Sequence, residues 1–227
     1  MANAIMTRTE EAITTDVLAQ LYWDTRVDAT NGTVTVHDGR VTLGGSVPTS
    51  MAKHAAAEDA WVVLGVRAVE NQLTITPPPT AMRPSERETV AAIRSRLAQR
   101  ADLALEMAKI EVSAVDGAVT LEGTVESYWK KLEVETEALQ VTGVLDVTNK
   151  LAVVPTERVA DEALARVIVS AIDRDSRVNV DDGDVTVSNG KVTLSGAVPS
   201  RVARLAAYRA ALYTSGVTDI TDNIIVV

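Results

Sequence analysis

From Leu164 to Ile172, apolar side chains recur at Leu164, Val167, Ile168, Ala171 and Ile172. That i, i+3, i+4, i+7, i+8 spacing lines one face of a helix. The period then falls to two. "DVTVS" and "KVTLSG" alternate apolar and polar positions on either side of Asn189-Gly190, which predicts a hairpin on a turn of positive φ. A second helical pattern follows Pro199, and a last alternating run puts Ile220, Asp222, Ile224 and Val226 on one face. The predicted order is helix, two strands, helix, strand.

The same order is written three times. Gly39 maps onto Gly117 at an offset of 78, and Gly117 onto Gly190 at an offset of 73. The register persists through Leu43/Leu121/Leu194, Ala60/Ala138/Ala211 and Val66/Val144/Val217. A register of that length predicts three tandem α+β domains, over residues 1–77, 78–155 and 156–227. In each, the last strand follows a helical crossover and is expected to run parallel to the second strand of a three-stranded mixed sheet. Glu70, Gln72 and Thr74 make one face of the last strand polar, so both helices are expected on the other face. Gly65, Gly143 and Gly216 suit left-handed caps of the second helices. Gly45, Gly123 and Gly196 suit backbone clearance at a bend. "TPPPTAMRP", from Thr76 to Pro84, is a stiff linker between the first two units.

These residues resemble the BON domain, a bacterial module of osmotically induced and nodulation proteins. The shared features are the "G-x-V-x-L-x-G-x-V" hairpin arm, alanines in the second helix, and the endings "GVRAVENQLTI", "GVLDVTNKLAV" and "GVTDITDNIIV". The resemblance implies a non-catalytic protein of osmotic or other stress response that meets phospholipid surfaces, envelope components or partner proteins. One relative type, associated with potassium, implies an alternative in cytoplasmic sensing of a cation or small ligand.

Composition narrows this further. There is no Phe, so the core rests on Val, Leu, Ile and Ala. No apolar run approaches the roughly 20 residues that span a bilayer. The first residues, "MANAIMTRTEEAITTDVLAQ", carry no secretory pattern, so a cytoplasmic protein is expected, or a periplasmic one if a leader has been removed. The net charge of −9 divides as −4, −3 and −2 over the three units, which argues against a nucleic-acid partner. Without cysteine, thiol catalysis and Fe–S chemistry are excluded.

No nucleophile, base and orienting group occur together, so no enzyme and no cofactor are expected. His37 and His54 have no counterparts in the other copies and read as surface residues. The acidic third-copy loop, with Asp181, Asp182 and Asp184, offers oxygens to a hard cation but lacks the twelfth-position Glu of an EF-hand. A solvated acidic loop is the plainer reading. Asn71, Asn149 and Asp222 point toward the buried face and are expected to bond loop backbone beside the glycine that ends the helix.

The second helix carries the main functional signal. One stripe is small, with Ala52, Ala56 and Ala60 matched by Ala203, Ala207 and Ala211. A second apolar stripe lies nearly opposite, with Trp61 in the first copy, Trp129, Leu132 and Leu139 in the second, and Leu205 and Leu212 in the third. A helix on a sheet needs one apolar face. The surplus face therefore meets another repeat, another chain in a homo-oligomer, or lipid. Lys130, Lys131, Arg201 and Arg204 flank it and suit a phospholipid surface.

Overall fold

A computed structural model describes residues 8–27, 30–77, 84–157, 159–174 and 184–226. The chain packs as two compact units, Met1–Arg83 with Thr142–Asp146, and Pro84–Val141 with Val147–Val227.

In the first repeat, α1 (Glu10–Trp23) begins where the Thr9 hydroxyl accepts the Ala12 N–H. It turns Ile13, Val17 and Leu21 inward. Strands β1 (Asn31–His37) and β2 (Arg40–Val47) pair antiparallel, and α2 (Ser50–Val62) leads to β3 (Ala68–Asn71) and β4 (Thr74–Ile75), both parallel to β2. The strand order is β1-β2-β3. Val41, Leu43 and Val47 of β2 meet residues of α1 and of α2 (Ala52, Ala55, Ala56 and Ala60) in one core. Both helices thus lie on one face, as the alternation predicts. Small alanines let α2 lie close to the strands, which is how a core without Phe closes.

The second repeat repeats the plan with α3 (Glu86–Gln99), a single 3-10 turn (Met107–Lys109), β5 (Ile110–Val115), β6 (Ala118–Val125), α4 (Tyr128–Leu139), β7 (Asp146–Asn149) and β8 (Ala152–Val153). Ser85 and Glu88 form a reciprocal capping box at the start of α3. The third repeat has α5 (Asp161–Asp173), β9 (Asp184–Ser188), β10 (Lys191–Val198), α6 (Arg201–Leu212) and β11 (Asp219–Val226). Its last strand runs unbroken beside β10 in parallel register from Lys191↔Asp219 to Val198↔Val226. Leu164, Ile168 and Ile172 face the core, whereas Val167, expected on that face, is exposed.

Two local expectations change. In the first two repeats the last strand is split. The Asn71 and Asn149 side-chain oxygens accept the N–H groups of Leu73 and Leu151, at 3.2 and 3.1 Å, where the strand is interrupted. The glycines after the second helices have positive φ but are not the caps themselves. Gly65 stands third in a turn closed by Val66 N–H to the Val63 carbonyl at 3.3 Å, three residues beyond the last helical residue. The hairpin turns are as expected: Asp38-Gly39, Asp116-Gly117 and Asn189-Gly190 all have positive φ at both positions.

Candidate interaction surface

Each second helix is tied to the last strand of its own repeat by one side chain. Asn71 Nδ2 donates to the Lys53 carbonyl at 2.7 Å, and Asn149 Nδ2 to the Lys131 carbonyl at 2.9 Å. The partner is helix backbone, not the loop beside the glycine, because the side chain lies under the first turns of the helix. In the third repeat the acceptor and donor exchange. Asp222 cannot donate when ionised, and Arg204, at the position of Lys53 and Lys131, donates to it from Nε at 2.9 Å.

The small stripe is buried in the first and third repeats, as Ala52, Ala56 and Ala60 and as Ala203, Ala207 and Ala211. In the second repeat Lys130 occupies the position of Ala52, and it is not a surface base. It is 8% exposed and donates to Glu106, itself 1% exposed, at 3.0 Å, with Glu126 as a further partner. Burial alone would raise the Glu106 carboxyl; the bonds from Lys130 and Lys109 outweigh it and hold the group below its usual range.

The opposite stripe is covered to different extents. Trp61 packs partly against the core of the first repeat. No residue of α4 is exposed, so Trp129, Lys131, Leu132 and Leu139 are all at least partly covered. Within the second compact unit, Tyr128 packs against the core of the third repeat, and the Trp129 and Tyr213 rings lie 6.3 Å apart. Burial first, then Tyr208 and Asp219, push the Tyr128 phenol up to about 12. Within the first compact unit, Ser50, at the position of Tyr128, sits 3.0 and 2.5 Å from the carbonyls of Val144 and Leu145.

Helix α6 differs. Val202 is 55% exposed, Leu205 48% and Tyr213, just past the helix, 66%. Leu212 is partly covered. The helix carries Arg201, Arg204 and Arg209 and no acidic residue. Burial and the neighbouring Arg204 push the Arg201 guanidinium down to about 10.

An exposed apolar group escaped the sequence pattern. Tyr22 and Trp23, 80% and 78% exposed, meet edge-on at 5.4 Å. With Leu18 and Val27 they border an open groove of about 560 Å³. The matching residues of the other repeats are Ala98-Gln99 and Asp173-Arg174, so a search for repeated features passes over it. Asp181 and Asp182 lie outside the described residues, and Asp184 is exposed at the start of β9. Among the described residues no group of three or more His, Asp or Glu side chains could hold a metal, and no helix is long and apolar enough to cross a membrane.

Three α+β units in tandem, with a buried hairpin arm in each and an alanine-faced second helix in the first and third, define a tandem-repeat protein. The BON domain model matches residues 9–77, 85–155 and 160–227. The chain belongs to the BON domain family, which is one of non-catalytic binding domains. No curated protein matches the chain. Among solved structures, it is similar to CdsD, a structural protein of the type III secretion system of Chlamydia trachomatis. Identity is 11%, coverage 95% of this chain and 92% of that one, and the TM-score 0.26. The C-terminal domain of CdsD gives the same identity and TM-score, with coverage of 97% and 100%. Likeness at that level has no bearing on role.

Proposed function

We propose that the protein is a non-catalytic, stress-related binding protein that meets an anionic phospholipid surface through α6 of the third repeat. The observation that carries this reading is the exposure of Val202 and Leu205 on α6, and of Tyr213 just past it, beside an exposed Arg209, on a helix that also holds Arg201 and the Asp222-paired Arg204 and has no acid of its own. An apolar stripe flanked by cations inserts its side chains while the charges meet headgroups. The net charge of −9 opposes long-range attraction, so contact depends on the local patch and weakens with salt.

Sedimentation with anionic and with neutral vesicles, at low and moderate salt, tests the reading. The expected result is binding to anionic vesicles that Leu205→Glu abolishes while the melting temperature stays within a few degrees. Equal binding by the variant, or none by the wild type, overturns it. Binding to a protein but to no vesicle would assign the face to a partner instead.

A further inference from the structure

The open groove beside Tyr22 and Trp23 continues inward. Leu18, Leu21 and Val27 border it, and they also border a smaller cavity, of about 20 Å³, that reaches Leu43, Ala56 and Leu73 in the core of the first repeat. Protein interiors hold few voids of this size, and this one has an identifiable origin. Gly32 lines it, on the face of β1 that Val34 and Val36 turn toward the core. In the second repeat Ile110 holds the matching position, paired with Gly123 as Gly32 is paired with Gly45, and it is 5% exposed. Ala56 likewise corresponds to Val134, which is fully buried. Two side chains that fill the core of the second repeat are thus cut back in the first, at the inner end of a groove. Gly32 has no positive φ, so its backbone does not call for glycine.

The walls set the chemistry of an occupant. Leucine, valine and alanine side chains offer water no hydrogen-bond partner, and a space walled in this way takes hydrocarbon. A cavity so narrow, under a groove of about 560 Å³, fits the end of a thin chain and not a ring. The charges beside the groove select the other end of the ligand. Between Trp23 and Val27 the chain carries Asp24 and Arg26, which pair at 2.6 Å, and Glu58 stands 3.3 Å from the same guanidinium. Arg26 is therefore already matched. An anionic head group placed here would add a third negative charge, whereas an uncharged one adds none.

We propose that the first repeat binds a single aliphatic chain with an uncharged head group. The chain end enters the space that Gly32 and Ala56 leave, the following methylenes lie along the groove against Leu18 and Trp23, and the head group stays in water. Tyr22 and Trp23, 80% and 78% exposed, lose apolar surface to water when the groove is filled. The second repeat, with Ile110 and Val134 at these positions, takes no such ligand. The site is separate from α6 and does not depend on the lipid contact proposed for that helix.

Titration of the full ¹⁵N-labelled chain with octyl glucoside, kept below the concentration at which it forms micelles, tests the proposal. Saturable shifts of the Gly32, Val34 and Ala56 amides are expected. Glucose alone should cause none, and octanoate, an anion of similar chain length, should bind more weakly. Gly32→Ile, which supplies the side chain present in the second repeat, should keep the fold and weaken binding by about tenfold or more. Ala56→Val should weaken it in the same direction, and it decides the matter if the isoleucine variant does not fold. Leu205→Glu should bind octyl glucoside as the wild type does, which separates this site from the exposed face of α6. The proposal fails if the shifts do not saturate or gather on α6, or if octanoate binds more tightly. It fails equally if a folded Gly32→Ile or Ala56→Val variant binds as tightly as the wild type.

Discussion

Gly45 and Gly123 stand where a β-carbon would lie 2.0 Å from the carbonyl oxygens of Asn31 and Lys109, at φ of 95° and 118°. Gly45→Ala should therefore cost about 2–4 kcal/mol, read from a urea midpoint. Gly44→Ala should cost under about 1 kcal/mol, since its β-carbon would meet only the Thr33 hydroxyl, at 2.8 Å. The sequence distinguishes the two, because Glu122 and Ser195 replace Gly44 in the other copies. Lys130 was not legible in this way. Its charge suggests surface, but its helical position is that of Ala52, and its partner Glu106 lies 24 residues away, before β5, where periodicity does not reach. Lys130→Ala leaves the buried Glu106 with Lys109 as its remaining partner, at 3.3 Å, and should cost up to about 3–5 kcal/mol. Lys130→Met with Glu106→Leu should cost much less, and equal losses for the two variants would contradict the pairing.

Among the elements, the second helices carried the most readable and the most misleading signals. Two apolar stripes on one helix announce a surplus face, and that much holds for α4 and α6. What covers the face depends on contacts far apart in sequence, such as Trp129 with Tyr213, which periodicity does not contain. In α4 the packing against the third repeat makes Trp129 part of a folded contact. Trp129→Lys should then destabilise the chain by about 2–4 kcal/mol, as when a charge enters a packed apolar site, and a variant with unchanged melting would contradict that contact. The tie between helix and last strand was legible as a polar residue on an apolar face, but its partner was not. Asn149→Ala frees the Lys131 carbonyl and the Leu151 N–H together and should cost about 1–3 kcal/mol. Arg204→Lys should weaken the third repeat by less than Arg204→Ala, since a lysine retains the charge opposite Asp222.

For the whole molecule, three copies of one unit do not amount to three equal surfaces. The first repeat presents Tyr22 and Trp23, the second presents no residue of α4, and the third presents Val202, Leu205 and Tyr213. Family membership and the order of elements followed from the repeated register. This division of surfaces depends on single residues that differ between copies, and so it had to come from the structure. The central claim is that α6, and not α4, is the face that meets lipid. Quenching of tryptophan emission by vesicles of brominated anionic phospholipid tests it directly, comparing the wild type with Leu205→Trp at low salt. The account predicts that the added indole is quenched while the wild-type emission, which includes Trp129, is nearly unchanged. Quenching of Trp129 with none at position 205 would contradict it.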